Sequence, residues 1–559
     1  MKNQILSTIF ILSLIIFAAA SFKAQNTDGG LPTLRGEEAI KDLKERGHYD
    51  SLSEAVNSAR KDDWRFQNNL ILGGGWTQES QKAAADGLAN DNFGRSVAIS
   101  GNTAIVGAWF DDIGINLDQG SAYIFVRSGT TWTLQQKISA SDGETSDTFG
   151  NAVAIDGDTV IVGASLDDIG ANNEQGSAYI FTRSGVTWTL QQKITATGGA
   201  IDDQFGTSVA ISGESVIVGA YLDDVGANTD QGSAYVFTRS GIIWTQQAQL
   251  TATGGAMNDQ FGVSVGIDGN TTIVGAYRDM VGANPDQGSA YVFTRSGIVW
   301  TQQAQLLAAD GAMNDQFGVR VGISGNTVIV GADLDNIGAN NEQGSAYIFV
   351  RSGIVWSQQQ KLVASDGAAN DVFGFSVAIS GNFAVVGAYQ ADVGANSNQG
   401  SAYIFERVGI VWTQQQKLTA AGGAAFDQFG LSAAISGDRI IVGAPNSDAS
   451  TSVPLAPQAF DQGAVFIFNL APTAAGVSVS GRVTNPDDNG IRNVLVSLTD
   501  SAGVTRTVRT STFGYYNFDD VEVGATYTIN VTAKRFTFAH PTQVITVNEN
   551  IDDLNFIAE

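Results

Sequence analysis

The most constraining feature of this 559-residue chain is a repeat of fixed length. A Phe-Gly pair begins at Phe93, Phe149, Phe205, Phe261, Phe317, Phe373 and Phe429, and every interval is 56 residues. The glycine of a Val-Gly-Ala triplet keeps that spacing from Gly107 to Gly443, and a tryptophan keeps it from Trp76 to Trp412. Three registers held through seven copies exclude coincidence. Self-similarity at such a period marks units that cannot bury their own apolar faces and must stack on their neighbours.

Each unit contains four strand-like runs. In the fifth they are Phe317 to Ile323, Thr327 to Ala332, Ser345 to Val350 and Ile354 to Leu362. They are rich in Val, Ile, Tyr and Phe and bounded by Gly, Ser, Asn and Asp. Four short strands per unit predict a propeller blade, since a parallel β-helix has shorter rungs and separate sandwich domains are longer. The last unit lacks a tryptophan strand, whereas the array opens with an orphan one at Trp76-Thr77-Gln78. The orphan is expected to complete the last blade, which would leave no gap in the ring and less free sheet edge. The expected fold is all-β, a seven-bladed β-propeller over residues 76–468. Residues 469–478 read as a linker, and 479–559 as a small transthyretin/Ig-like β-sandwich of short strands.

The N-terminus differs in kind. A basic Met1-Lys2-Asn3-Gln4, an apolar Ile5 to Phe17 and small residues at Ala18-Ala19-Ala20 make residues 1–24 a secretory signal peptide. Residues 30–66 read as a short helical segment, with acids early and bases later from Glu37 to Lys44.

Composition narrows the function. Acidic residues number 56 against 30 basic, a net charge of −26, which repels phosphate backbones and argues against nucleic acid as a partner. The absence of cysteine removes disulfides, thiol nucleophiles and thiolate metal sites. Beyond the N-terminus there is no long apolar run, so the chain is not expected to span a membrane once the signal is cleaved. Its two histidines, His48 and His540, lie outside the repeat, and no catalytic order of Ser, His and Asp is evident. An enzyme is not expected; the catalytic alternative is a propeller hydrolase using rim carboxylates.

Strand order distributes charge. With the Phe-Gly strand innermost, the crossovers between blades share one rim with the loops between second and third strands. That rim carries Asp91, Asp147, Asp203, Asp259, Asp315, Asp371 and Asp427, each two residues before a repeat phenylalanine. These are read as turn caps accepting backbone N–H bonds. The opposite rim carries Arg127, Arg183, Arg239, Arg295, Arg351 and Arg407, so the two faces are expected to differ in charge. The tryptophans are read as packing residues. No cofactor is required. Calcium is the one metal the sequence suggests, through Asp111, Asp112, Asn116 and Asp118, because hard cations take several oxygen ligands.

The unit Asp-Gly-Ala-x-x-Asp-x-Phe-Gly-x-Ser-Val-x-Ile-Ser-Gly-Asn-Thr-x-Ile-Val-Gly-Ala resembles the FG-GAP repeat, which builds the seven-bladed propeller of integrin α subunits and many bacterial surface proteins. The resemblance covers about 390 residues, carried by the Phe-Gly and Gly-Ala pairs. It implies adhesion or ligand recognition. The calcium of integrin-like members sits in an Asp-x-Asp-x-Asp-Gly loop between the first two strands; here that loop is cut to turns such as Ser100-Gly101-Asn102. The tail resembles the carboxypeptidase regulatory-like domain through Gly481-Arg482-Val483, Gly490-Ile491, Thr512 to Phe518, Gly524 and Tyr527, a resemblance that implies an accessory module without a peptidase site.

The expected function is that of a secreted or cell-surface recognition or adhesion protein, binding a protein or glycan ligand through a propeller rim. A structural envelope or stalk module is the alternative. The longest departure from the repeat is the second-to-third loop of blade seven, so Pro445, Asp448, Pro454, Pro457 and Asp461 are the candidate contact residues.

Overall fold

A computed structural model describes residues 75–448, 461–470, 477–487, 489–500, 504–521, 525–547, 551 and 554–559. The signal peptide, the 30–66 segment, most of the linker, Pro454 and Pro457 lie outside the described residues.

Residues 76–470 form seven four-stranded antiparallel sheets. Blade one runs, from the axis outward, Ser96–Ser100, Thr103–Ala108, Ser121–Ser128 and Thr131–Ile138. Its first two strands join through Gly101-Asn102, with Ser100 paired to Thr103 and Gly101 at φ 55°, so glycine occupies the first central position of a two-residue hairpin turn. Every innermost strand packs against those of the two adjacent blades, and the strand at Ser432–Ser436 returns to the one at Ser96–Ser100, so the ring is closed. In blade seven, Ser432–Ser436, Arg439–Ala444 and Ala464–Leu470 are completed by Trp76–Lys82, which pairs antiparallel with Ala464–Leu470.

One expectation about the repeat is corrected. The Phe-Gly pair is not part of the innermost strand, which begins two residues later, or three in blade five. Phe93 and its six counterparts are fully buried at the end of the crossover, edge-on to aromatic residues of the third strand such as Tyr123 and Phe125. The glycine after each phenylalanine has a partner in the preceding blade. A Cβ on Gly107 would stand 2.0 Å from the Gly150 carbonyl oxygen, and one on Gly443 would stand 2.1 Å from that of Gly94. The two glycine markers of the repeat therefore touch across each blade boundary, where only a bare backbone fits.

Seven apolar cores lie between blades and none within a single blade. One joins Trp76 to Val385 and Ile404 of blade six and Phe429 of blade seven. Another joins Phe93 and Tyr123 of blade one to Ile441 and Ile467 of blade seven.

The tail forms a sandwich of a three-stranded sheet and a four-stranded sheet. Val496, Leu498, Phe518 and Ile529 lie in its core. Its last strand, Phe556–Ile557, pairs parallel with Val477–Thr484 and went unread in the sequence.

Candidate functional site

The outer seam fixes the blades relative to one another. Between third and fourth strands a bulge falls at Gln135, Gln191, Gln247, Gln303 and Gln359. Bulges re-aim side chains. Here the freed amide oxygen accepts the indole N–H of the next blade's tryptophan, as from Trp188 to Gln135 at 2.8 Å. Where the following residue is glutamine, it clasps that tryptophan's backbone. Gln136 accepts the Trp188 N–H and donates to its carbonyl, at 2.8 and 2.9 Å. At the ring closure Gln416 holds Trp76 in the same way, at 2.8 and 2.8 Å. On the other side the bulge residue is Glu79, whose carboxylate accepts from Arg127 and from the Trp132 indole. Burial pushes Glu79 up, but these donors outweigh it and hold the carboxyl below its usual range.

The predicted Asp caps are present in all seven crossovers. Asp91 accepts from the Leu88 N–H at 2.6 Å and Asp427 from Ala424 at 2.8 Å, each three residues back. All seven are buried. Burial is the main cause that pushes Asp91 up to about 7, and Asp147, Asp203, Asp259 and Asp315 to about 6.

The acidic rim is more neutral than the sequence suggests. Asp111 is buried, and Lys137 Nζ lies 2.7 Å from it and 2.7 Å from Asp86, with Tyr123 donating to both carboxylates. Lys193 and Lys361 repeat this cluster. Asp86, Asp142, Asp310 and Asp366 face Lys137, Lys193, Lys361 and Lys417; where glycine stands instead, at Gly198, Gly254 and Gly422, the lysine position is Gln249, Gln305 and Gln81. Charge is added or removed as a pair, including in the blade whose outer strand comes from the front of the array. The opposite rim is likewise less basic than expected. Arg183 pairs with Asp158 and Arg239 with Glu214, while Arg295, Arg351 and Arg407 bond to Asn270, Asn326 and Asn382 and stack on their own blade's tryptophan.

The four candidate calcium residues have other duties. Asp111 belongs to the Lys137 cluster. Asn116 turns its amide N–H groups to Gln119 and the Gly143 carbonyl, and Asp112 accepts the Asp118 backbone N–H. Among the described residues no group of three or more His, Cys, Asp or Glu converges to hold a metal. In blade seven Asp448 accepts the Asp461 N–H at 3.1 Å, the same hook that Asp112 makes in blade one. Pro445 is buried, with its carbonyl accepting from Asn92.

The sequence reading missed the axis. Two positions vary from blade to blade although the Phe-Gly and Val-Gly-Ala markers before them do not. The residue after Phe-Gly is Arg95, Asn151, Thr207, Val263, Val319, Phe375 and Leu431. The residue after Val-Gly-Ala is Trp109, Ser165, Tyr221, Tyr277, Asp333, Tyr389 and Pro445. A third position is Ser or Ala in six blades and Arg320 in the fifth. The Arg95 guanidinium lies over Trp109 at 4.8 Å, and that of Arg320 lies over Phe375 at 5.1 Å. Phe375 in turn packs on Tyr389 at 4.6 Å. Asn92 accepts the Trp109 indole N–H at 3.1 Å, and Phe110 stacks on the Trp109 ring.

Arg95 and Arg320 belong to blades one and five, which are not neighbours in the ring, yet the Arg320 charge reaches Arg95. Burial lowers both, and the Arg320 charge adds to burial in bringing Arg95 to about 10. Arg320 donates to the Val319 carbonyl at 2.8 Å; among the described residues neither guanidinium forms an ion pair. Asp333, beside Arg320, is pushed by burial up to about 7 and keeps one carboxyl oxygen unpartnered. Both arginines are largely buried but keep some exposure to solvent.

A closed ring of seven blades with an aromatic and cationic axial opening, followed by a small sandwich, defines the class. The FG-GAP repeat model matches residues 76–125, 132–181, 188–237, 244–293, 300–349, 356–405 and 412–468, more than half of the chain, and the protein belongs to that family. Residues 478–558 are a carboxypeptidase regulatory-like domain. No curated protein matches the chain.

Proposed function

We propose that this is a secreted or cell-surface recognition protein, noncatalytic, that holds a protein or glycan ligand on the crossover rim of its propeller. One observation carries the reading: the residues that follow the fixed Phe-Gly and Val-Gly-Ala markers, where the blades converge on the axis, differ from blade to blade. A scaffold position has no reason to change from Trp109 to Ser165 to Tyr221 to Asp333 while the Val-Gly-Ala before it stays fixed. Local exceptions to an otherwise consistent pattern are expected at functional sites. Asp448 and Asp461, the described ends of the blade-seven loop, are secondary contact residues in this proposal. No helix among the described residues is long and apolar enough to cross a membrane.

Binding of the full chain to glycan and matrix-protein arrays tests the reading. Trp109→Ser, which installs the blade-two residue, is expected to weaken any captured ligand about tenfold, the effect of losing one large aromatic contact. An array on which nothing binds, or on which Trp109→Ser binds equally, contradicts it.

A structural reading draws on a different surface. The hairpin tips of blades three to six expose Ile242, Ile298, Ile354 and Ile410 in succession. Such a row favours self-association, and sedimentation of the full chain at rising concentration separates the two readings.

A further inference from the structure

We propose that the axial opening is an anion site for a terminal uronate of an otherwise neutral saccharide, the carboxylate seated between Arg95 and Arg320. The inference deepens the recognition reading above and rests on it.

The case begins with the departures themselves. In four blades the serine at the Arg320 position hooks its hydroxyl to the carbonyl of the next blade's Phe-Gly glycine, as Ser96 does to Gly150 at 2.8 Å. Arg320 forgoes that hook, and its innermost strand, Val321–Ser324, is a residue shorter than those of the other blades. A structural bond has been exchanged for a charge at the axis. Arg95 places a second charge opposite. Two guanidiniums within electrostatic reach, with the Asp333 carboxyl beside only one of them, destabilise one another less when an anion joins them. Stacking on Trp109 and Phe375 occupies their faces, and among the described residues the one partner of their in-plane N–H groups is the Val319 carbonyl, which takes one from Arg320; the remaining N–H groups match a carboxylate.

Three features select among anions. Asp333 stands beside Arg320, so a dianion such as phosphate meets more repulsion than a carboxylate does. The rim around the opening exposes Asp112, Asp168, Glu174, Asp224, Glu342 and Asp392, which would repel a polyacidic peptide lying across it. A neutral chain with one acidic tip avoids that field. Tyr221, Tyr277 and Tyr389, all half-buried, supply ring faces and hydroxyls suited to a pyranose.

The test is titration calorimetry of the full chain with a trisaccharide ending in glucuronate, its methyl ester and hexaglutamate. Arg320→Ser and Arg95→Asn install residues that other blades already carry at those positions, and unchanged thermal melting verifies the fold. The uronide is expected to bind, the ester about tenfold more weakly, and each variant to lose about tenfold in affinity, the scale of one charge-assisted contact. Equal binding of acid and ester, indifference to both substitutions, or no binding of the uronide overturns the proposal. Stronger binding of hexaglutamate overturns the saccharide assignment. Should the arrays yield a ligand that ignores Arg95→Asn and Arg320→Ser, this inference fails while the recognition reading survives.

Discussion

Seven aspartates do one small task each, and their burial gives it a pH dependence. Each caps a crossover turn while buried, which raises its carboxyl to about 7 at Asp91 and about 6 at Asp203. The unfolded value is about 3.9. Below it both states are protonated and the contribution is fully present. As pH rises through the folded value, the native state must hold a buried charge that the unfolded chain carries in water, and stability is lost. Asp86, Asp142, Asp310 and Asp366 work in the opposite sense. Burial pushes them up, but Lys137, Lys193, Lys361 and Lys417 outweigh it and lower them, so their contribution is lost as pH falls. The melting temperature is therefore expected to be higher near pH 5 than near pH 8 and to fall again below about pH 4. Asp203→Asn, which keeps the acceptor and loses the charge, is expected to raise it near pH 8. A melting temperature that rises between pH 5 and pH 8 contradicts this account. The caps were legible in the sequence because a fixed offset from Phe-Gly implies a fixed local job. Arg95 and Arg320 were not, because each occurs once and acts through residues far away in sequence.

At the scale of the strand, the clasp between outer strands is complete in some blades and missing in others. Gln136, Gln192, Gln360 and Gln416 hold the next tryptophan's backbone. Ala248 and Ala304 occupy the same position in blades three and four, and Trp300 and Trp356 are 9% exposed against 1–3% for the other five. Ala248→Gln is expected to stabilise by about 1 kcal/mol, the usual net worth of an internal hydrogen bond, and Gln192→Ala to cost a similar amount. Denaturant unfolding measures both, and a neutral Ala248→Gln would show that the clasp contributes nothing. The strands themselves were readable from alternating apolar residues and glycine turns. The bulge was not, since Gln135 and Gln136 look alike in sequence, and which of them turns outward is decided by the sheet.

At the scale of the molecule, closure makes the axis. Arg95 of blade one and Arg320 of blade five share one axis because the ring is complete, and Trp76–Lys82 completes it by filling the outer edge of blade seven. The count of tryptophans against Phe-Gly pairs made this legible before any coordinates. What the count could not convey was how the joint is held, through Gln416 on one side and the Glu79–Arg127 pair on the other. Nor could it distinguish scaffold from site, because six blades in seven must be compared before an exception such as Arg320 stands out. The most direct measurement is calorimetry on the full chain, on a chain ending at residue 470, and on a chain lacking residues 76–82. Loss of the seven residues removes buried Trp76 and reopens two blade boundaries, and is expected to cost more than about 5 kcal/mol, above the upper range for removing one core tryptophan. Loss of the sandwich should leave the propeller transition in place. Equal melting of the propeller with and without residues 76–82 would contradict the closed ring, and with it the site at its axis.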